Sequence, residues 1–227
     1  MRNKILSLCG AGVIFTVAGI ASAGVVDPVT VLFEDDFDSE PSSGLNYNSF
    51  QNWDVAAGYV DLLGEAPEDR GYYWLEGYGK FVDLDGTKRP ENADGYRAGN
   101  LVTKQAFDLH PGVLYRLEFD LAGNQSGYWP TFEDDEVVVS VGDAFSELFT
   151  RDPGTGFLTF TREFSVSEFM TGKISFDHAG GDNAGLYLDN VRFSQIGALA
   201  TVPAPSAALA GLALLSALGL TRRRRTA

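Results

Sequence analysis

The residues best suited to chemistry lie in two acidic stretches far apart in the chain. Glu34-Asp35-Asp36-Phe37-Asp38 follows the apolar run Val31 to Phe33, and Leu188-Asp189-Asn190-Val191 precedes Phe193. Carboxylates supplied from two such places suit a hard cation, and Ca²⁺, which takes six to eight oxygens, is the natural choice. The candidate ligands are Asp36, Asp38 and Asp189, with Asp85 of Val82-Asp83-Leu84-Asp85-Gly86 as a further one. Like charges brought together oppose one another's ionisation unless a cation sits between them. The expectation is a structural calcium joining the first and last strands. The alternative is that these acids only cap strand ends.

A second constellation is aromatic. Tyr72, Tyr73, Trp74 and Tyr78 fall in one Gly-rich stretch, and Tyr128 and Trp129 in another. Sugar rings stack their C–H faces on aromatic rings while polar neighbours take the hydroxyls. Turn-like segments are where such sites are usually carried. The alternative for each ring is ordinary packing, and Trp53, on a strand pattern, is expected in the core. Catalytic signatures are sparse. The two histidines, His110 and His178, are separated, and there is no nucleophile elbow, zinc-type His spacing or phosphate loop. Acids are too common for a carboxylate pair to argue for glycoside hydrolysis.

Charge narrows the partners. The chain carries 17 basic and 31 acidic residues. Two of the basic ones, Arg2 and Lys4, lie in the first 23 residues, and four, Arg222 to Arg225, at the end. The segment 24–200 therefore holds 11 basic residues against all 31 acids, a net −20. Such a field excludes nucleic acid as a partner and favours cations. The single cysteine, Cys9, lies in the leading segment, so the central domain has neither thiol nor disulfide and must be held by its core, a metal or both.

The elements that must position these residues are strands. Tyr115, Leu117, Phe119 and Leu121 alternate with Arg116, Glu118 and Asp120; Val137, Val139 and Val141 repeat the pattern, as do Ile174 and Phe176. Leu158, Phe160, Phe164 and Val166 follow it with an interruption at Arg162. Further runs cover 53–55, 59–63, 80–84 and 101–109. Turn signals such as Pro111-Gly112, Gly142-Asp143 and Pro153-Gly154 separate them. About ten short strands at this spacing predict an all-β antiparallel sandwich, a jelly roll, over residues 24–200.

The flanks read as signals. Residues 1–23 pair Arg2 and Lys4 with an apolar run and Ala21-Ser22-Ala23, the pattern of a secretory signal peptide. Residues 201–227 open with Val202-Pro203-Ala204-Pro205, whose prolines stop a helix entering from the left. A charge-free Ala/Leu run follows, and the segment closes on Arg222-Arg223-Arg224-Arg225. This predicts a single hydrophobic transmembrane helix over 205–221, with the arginines on the cytoplasmic side. The alternative is a buried terminal helix of the domain.

The tail resembles the PEP-CTERM sorting signal of Gram-negative bacteria that make exopolysaccharide. The resemblance implies processing by exosortase, transient anchoring in the inner membrane and delivery to the cell envelope or exterior. Ala204 stands where that motif usually has Glu. The acidic strand ends resemble those of carbohydrate-binding-module jelly rolls, also called galactose-binding-like. This resemblance implies a calcium held by the Asp36 carbonyl, by Asp38 in place of the family's Glu, and by Asp189. Asn52-Trp53-Asp54-Val55, Phe81-Val82-Asp83-Leu84-Asp85-Gly86 and Gly185-Leu186-Tyr187-Leu188-Asp189-Asn190-Val191 look like a recurring secreted bacterial sandwich with no defined activity. The expected function is a non-enzymatic, exported sandwich binding exopolysaccharide or biofilm-matrix glycans. The alternatives are a polysaccharide-active lyase or hydrolase of jelly-roll form, and a purely structural adhesin.

Overall fold

A computed structural model describes residues 29–64, 75, 78–87, 98–125, 135–181 and 183–198. Among these, every regular element is a strand. One sheet has the order β10 (Leu158–Ser165), β7 (Val113–Ala122), β13 (Tyr187–Ala198), β4 (Phe81–Asp83), β3 (Asp61–Leu63), with β1 (Thr30–Asp35) also paired to β13. The second has the order β2 (Trp53–Ala57), β5 (Asn100–Thr103), β12 (Ile174–Ala179), β8 (Asp135–Val141), β9 (Phe145–Arg151). β6 (Phe107–Leu109) and β11 (Met170–Gly172) form a small ribbon. All the pairings between these strands are antiparallel, and the chain has the all-β jelly-roll sandwich class its patterning predicts.

The alternation explains the core. Tyr115, Leu117, Phe119 and Leu121 of β7 are buried against Val137, Val139, Ile174 and Phe176 of the facing sheet. Arg162, which interrupts the apolar row of β10, reaches across the open edge of the sandwich. There its guanidinium makes a two-pronged ion pair with Glu147 of β9, at 2.7 and 2.6 Å, and lies over the Phe149 ring. The run 101–109 is two strands in different sheets rather than one. The corner between them is stitched by Thr103, whose hydroxyl donates to the Gln105 carbonyl (2.8 Å) and accepts from the Ile174 amide (3.1 Å).

What positions the site is the last strand. β13 pairs with β7 along most of its length; on its other side it meets β4 at Tyr187 and Leu188, then β1 from Val191 to Gln195. Where the partner changes, the register to β7 shifts between Asp189 and Arg192, and Asn190 takes φ of 50°. Such irregularities re-aim side chains. The first acidic stretch is thereby laid beside the last, with Glu34 opposite Arg192 and Asp35 opposite Val191.

Candidate functional site

Asp35 anchors the first acidic stretch rather than serving a ligand. Its buried carboxylate accepts from the Phe37 amide (2.9 Å), the Asn52 side-chain amide (3.0 Å) and the Trp53 indole N–H (2.9 Å). Trp53 itself is core, packed against Phe33, Phe37 and Phe176. Phe37 is held at φ of 58°, uncommon for a bulky residue, while its ring is wholly buried. Two non-glycine residues with left-handed backbone, Phe37 and Asn190, thus flank the junction of β1 and β13, a placement typical of functional sites.

Three of the four predicted metal ligands are brought into one neighbourhood. Asp189 is 3% exposed. Burial pushes its carboxyl up to about 8, and the nearby charges of Asp120, Asp38 and Asp36 push the same way, against one stabilising bond from the Asn190 amide. Asp38 is fixed by the Lys80 amide, which donates to its Oδ1 (2.7 Å), while the Lys80 ammonium donates to its carbonyl (2.8 Å). Gly79, at φ of 56°, leaves room for this, since a Cβ there would lie 2.2 Å from Asp38 Oδ1. Asp36 Oδ1 accepts the Asp38 amide (3.1 Å). Among the described residues no three acids or histidines stand in metal-holding geometry. The composition fits a hard cation, and ligation would require the Asp36 carbonyl and the Asp38 and Asp189 carboxylates to draw together.

Asp85 is elsewhere. It lies beyond Asp83, which pairs with Tyr187, and its fully buried carboxylate accepts the amides of Gly181 (2.7 Å) and Asn183 (3.2 Å). It belongs to a buried group with Asp61, Asp83 and His178. Asp83 accepts the Asp85 and Gly185 amides (3.0 and 3.1 Å); burial first, then Asp61 and Asp85, hold its carboxyl well above the ordinary range. His178 Nε2 accepts the Leu186 amide (3.1 Å), which leaves the proton on Nδ1, and burial pushes the imidazole down to about 4. A Cβ on Gly180 would lie 2.9 Å from His178 Nδ1 and 3.0 Å from Asp85 Oδ2. These carboxylates clip loops together by capping their backbone amides. His110 is remote from them, its ring against Phe169.

A polar cleft of about 380 Å³ opens beside the junction. Glu34, Asp36, Ser39, Asn52, Asn190 and Arg192 contribute to its walls. Of these, sequence reasoning singled out only Asp36 for a site. Glu34 stood in the acidic run as a signal, but Arg192 and Asn52 join it only through the β1–β13 register and the turn into β2.

Of the six predicted aromatic residues, Tyr78 is described. It is 40% exposed, with its ring 4.6 Å from that of Phe157. Below Phe157 lies a satellite core of Leu63, Phe81, Ala122 and Tyr187 on the outer face of the first sheet, on which Leu75 also packs. Tyr72, Tyr73, Trp74, Tyr128 and Trp129 lie outside the described residues, as do residues 1–23 and 201–227 with Val202, Pro203, Ala204, Pro205 and Arg222 to Arg225.

No protein-family model matches the chain. No curated protein matches it either. Solved structures of similar shape include the CBM22-1–GH10 modules of Clostridium thermocellum xylanase 10B complexed with xylohexaose (16% identity, TM-score 0.42), covering 78% of this chain and 30% of that one. Another is a CBM61 module in complex with β-1,4-galactotriose (17% identity, TM-score 0.41; 63% of this chain, 88% of that one). A third is the CBM22-1 xylan-binding domain of Paenibacillus barcinonensis Xyn10C (12% identity, TM-score 0.41; 74% and 96%). This chain thus spans less than a third of the length of that solved xylanase chain. At these identities the likenesses assign no residue of this chain a role.

Proposed function

We propose that the domain is an exported, non-enzymatic glycan-binding sandwich, sorted by the signal-like tail to the cell envelope or exterior, with exosortase as the processing partner and exopolysaccharide or matrix glycan as the ligand. The observation that carries the binding reading is the exposed Tyr78 ring, backed by Phe157 on a rigid apolar base rather than on solvent. An aromatic already packed against another ring, here at 49° to it, needs less ordering when a sugar stacks on it. Tyr78 also adjoins in sequence the Tyr72-Tyr73-Trp74 run. The test is a glycan-array screen of the purified chain with Tyr78→Ala and Trp74→Ala as comparison. Loss of signal with unchanged melting temperature supports the reading; retained signal in both variants, or unfolding of both, refutes it.

Calcium belongs to the same proposal. Asp189 is a nearly buried carboxyl facing three other acids, and it receives one hydrogen bond. Asp36, Asp38 and Asp189 would hold the ion, which would supply charge neutralisation and a clip between β1 and β13. This would stabilise a domain that has no disulfide, because a ligand that binds only the native state raises its stability by mass action. Asp85, engaged with Gly181 and Asn183, is not among the proposed ligands.

A further inference from the structure

The cleft beside β1 and β13 is used neither by the aromatic platform nor by the calcium ligands, which require from Asp36 its carbonyl and not its side chain. Across three strands of the first sheet, Glu34, Arg192 and Glu118 stand in register. The ion pairs among the described residues are Arg116–Glu163 and Arg162–Glu147; Glu34, Arg192 and Glu118 make none. Asp120, one residue pair along, accepts the Asn190 side-chain amide (2.9 Å). The cleft wall therefore offers two exposed carboxylates, Glu34 and Asp36, with Arg192 as the single opposing cation. Around them stand the neutral hydrogen-bonding groups of Ser39, Asn52 and Asn190.

We propose that this cleft seats an amine-bearing sugar residue of a cationic glycan, an inference that rests on the glycan-binding reading and names a second contact for it. Its volume of about 380 Å³ lies within the roughly 300–1,000 Å³ typical of small-molecule sites and suits one sugar residue with its linkage. The carboxylates accept charge-assisted hydrogen bonds from an ammonium, the stronger kind. The amides and hydroxyl meet the ring hydroxyls. The domain's net −20 concentrates cationic polymer at the surface and repels uronic-acid polymers.

The experiment is calorimetric titration of the full chain with four probes of matched length: oligomers of glucosamine, N-acetylglucosamine, glucose and galacturonate. Glucosamine oligomer should bind at least tenfold more tightly than its acetylated form, and galacturonate not at all. Glu34→Gln should weaken glucosamine binding by about tenfold. Arg192→Gln should tighten it, because the variant removes the positive charge nearest the ammonium. Asp54→Asn, which removes the same charge from an exposed position on the other sheet, should leave it unchanged. Equal binding of amine and acetylated probes overturns the proposal, as does weakening by Arg192→Gln, or a loss in Asp54→Asn as large as in Glu34→Gln. Tyr78-dependent binding of a neutral oligomer without amine preference would leave the glycan-binding reading standing and sink this one. Absence of binding to every glycan would sink both.

Discussion

Substituting Asp189 by Asn keeps the shape of the side chain and removes its ability to ionise, which makes the role of the strand junction measurable. In the native protein without a cation, the Asp189 carboxyl is pushed up to about 8 from its ordinary 3.8. An acid whose native pKa is raised holds a proton that the unfolded chain has released. Its contribution is therefore fully present below about pH 4 and is lost as pH rises from 4 toward 8. At pH 7 the gap above the unfolded pKa is about three units, an upper bound of ~4 kcal/mol at 1.36 kcal/mol per unit, and roughly half that once residual solvent screening is counted. Asp189→Asn removes this penalty. In chelator at pH 7 the variant should therefore be about 2 kcal/mol more stable than the wild type, and the two should converge by pH 4. Calcium should reverse the order, because a cation at the proposed site would let Asp189 ionise in the native state, and the variant would lack that ligand. The assay is urea unfolding of both proteins from pH 4 to 8, with chelator and with millimolar calcium. Asp83 titrates with the same sign, since burial also raises it, but it is common to both proteins and cancels in the difference. A wild type and variant that differ by the same amount at every pH and in both buffers would refute the reasoning.

The acid limb should belong to His178. A histidine pushed down to about 4 by burial contributes stability above its unfolded value of 6.5 and loses it as pH falls from 6.5 to 4, so His178→Gln should flatten that limb of the unfolding profile. Asp35→Ala leaves the indole N–H of Trp53 and the Phe37 amide without their acceptor in a buried place, and should cost about 3 kcal/mol in urea unfolding, against under 1 kcal/mol for the exposed Asp54→Ala. Removing residues 201–227 should release the protein from membrane to soluble fractions, read by immunoblot; unchanged membrane retention would remove the tail from the proposal.

The sandwich was legible because burial on one face imposes a two-residue period, as in Tyr115 to Leu121 and Val137 to Val141. The break at Arg162 reads in sequence as a fault; in the fold it is a guanidinium that must sit on the inner row to reach Glu147. The division of 101–109 into β5 and β6 was hidden, because the apolar spacing runs through the corner and Thr103, which makes it, is an ordinary strand residue. Asp36, Asp38 and Asp189 could be grouped from their places at the strand ends. Asp85 could not be separated from them, because residue type does not reveal that its carboxylate faces the amides of Gly181 and Asn183. Asp120, Arg192 and Asn52 gave no signal of their own, since they meet the junction only through pairing register and a turn.

The central claim is that the surface around Tyr78 binds glycan, and the most direct measurement is affinity electrophoresis of the full chain through gels containing soluble polysaccharides. The account predicts retardation of the wild type by at least one polysaccharide. It also predicts recovery of free mobility in Tyr78→Ala, with a melting temperature unchanged because that ring is 40% exposed. Equal retardation of wild type and Tyr78→Ala by every polysaccharide that retards either one would contradict it.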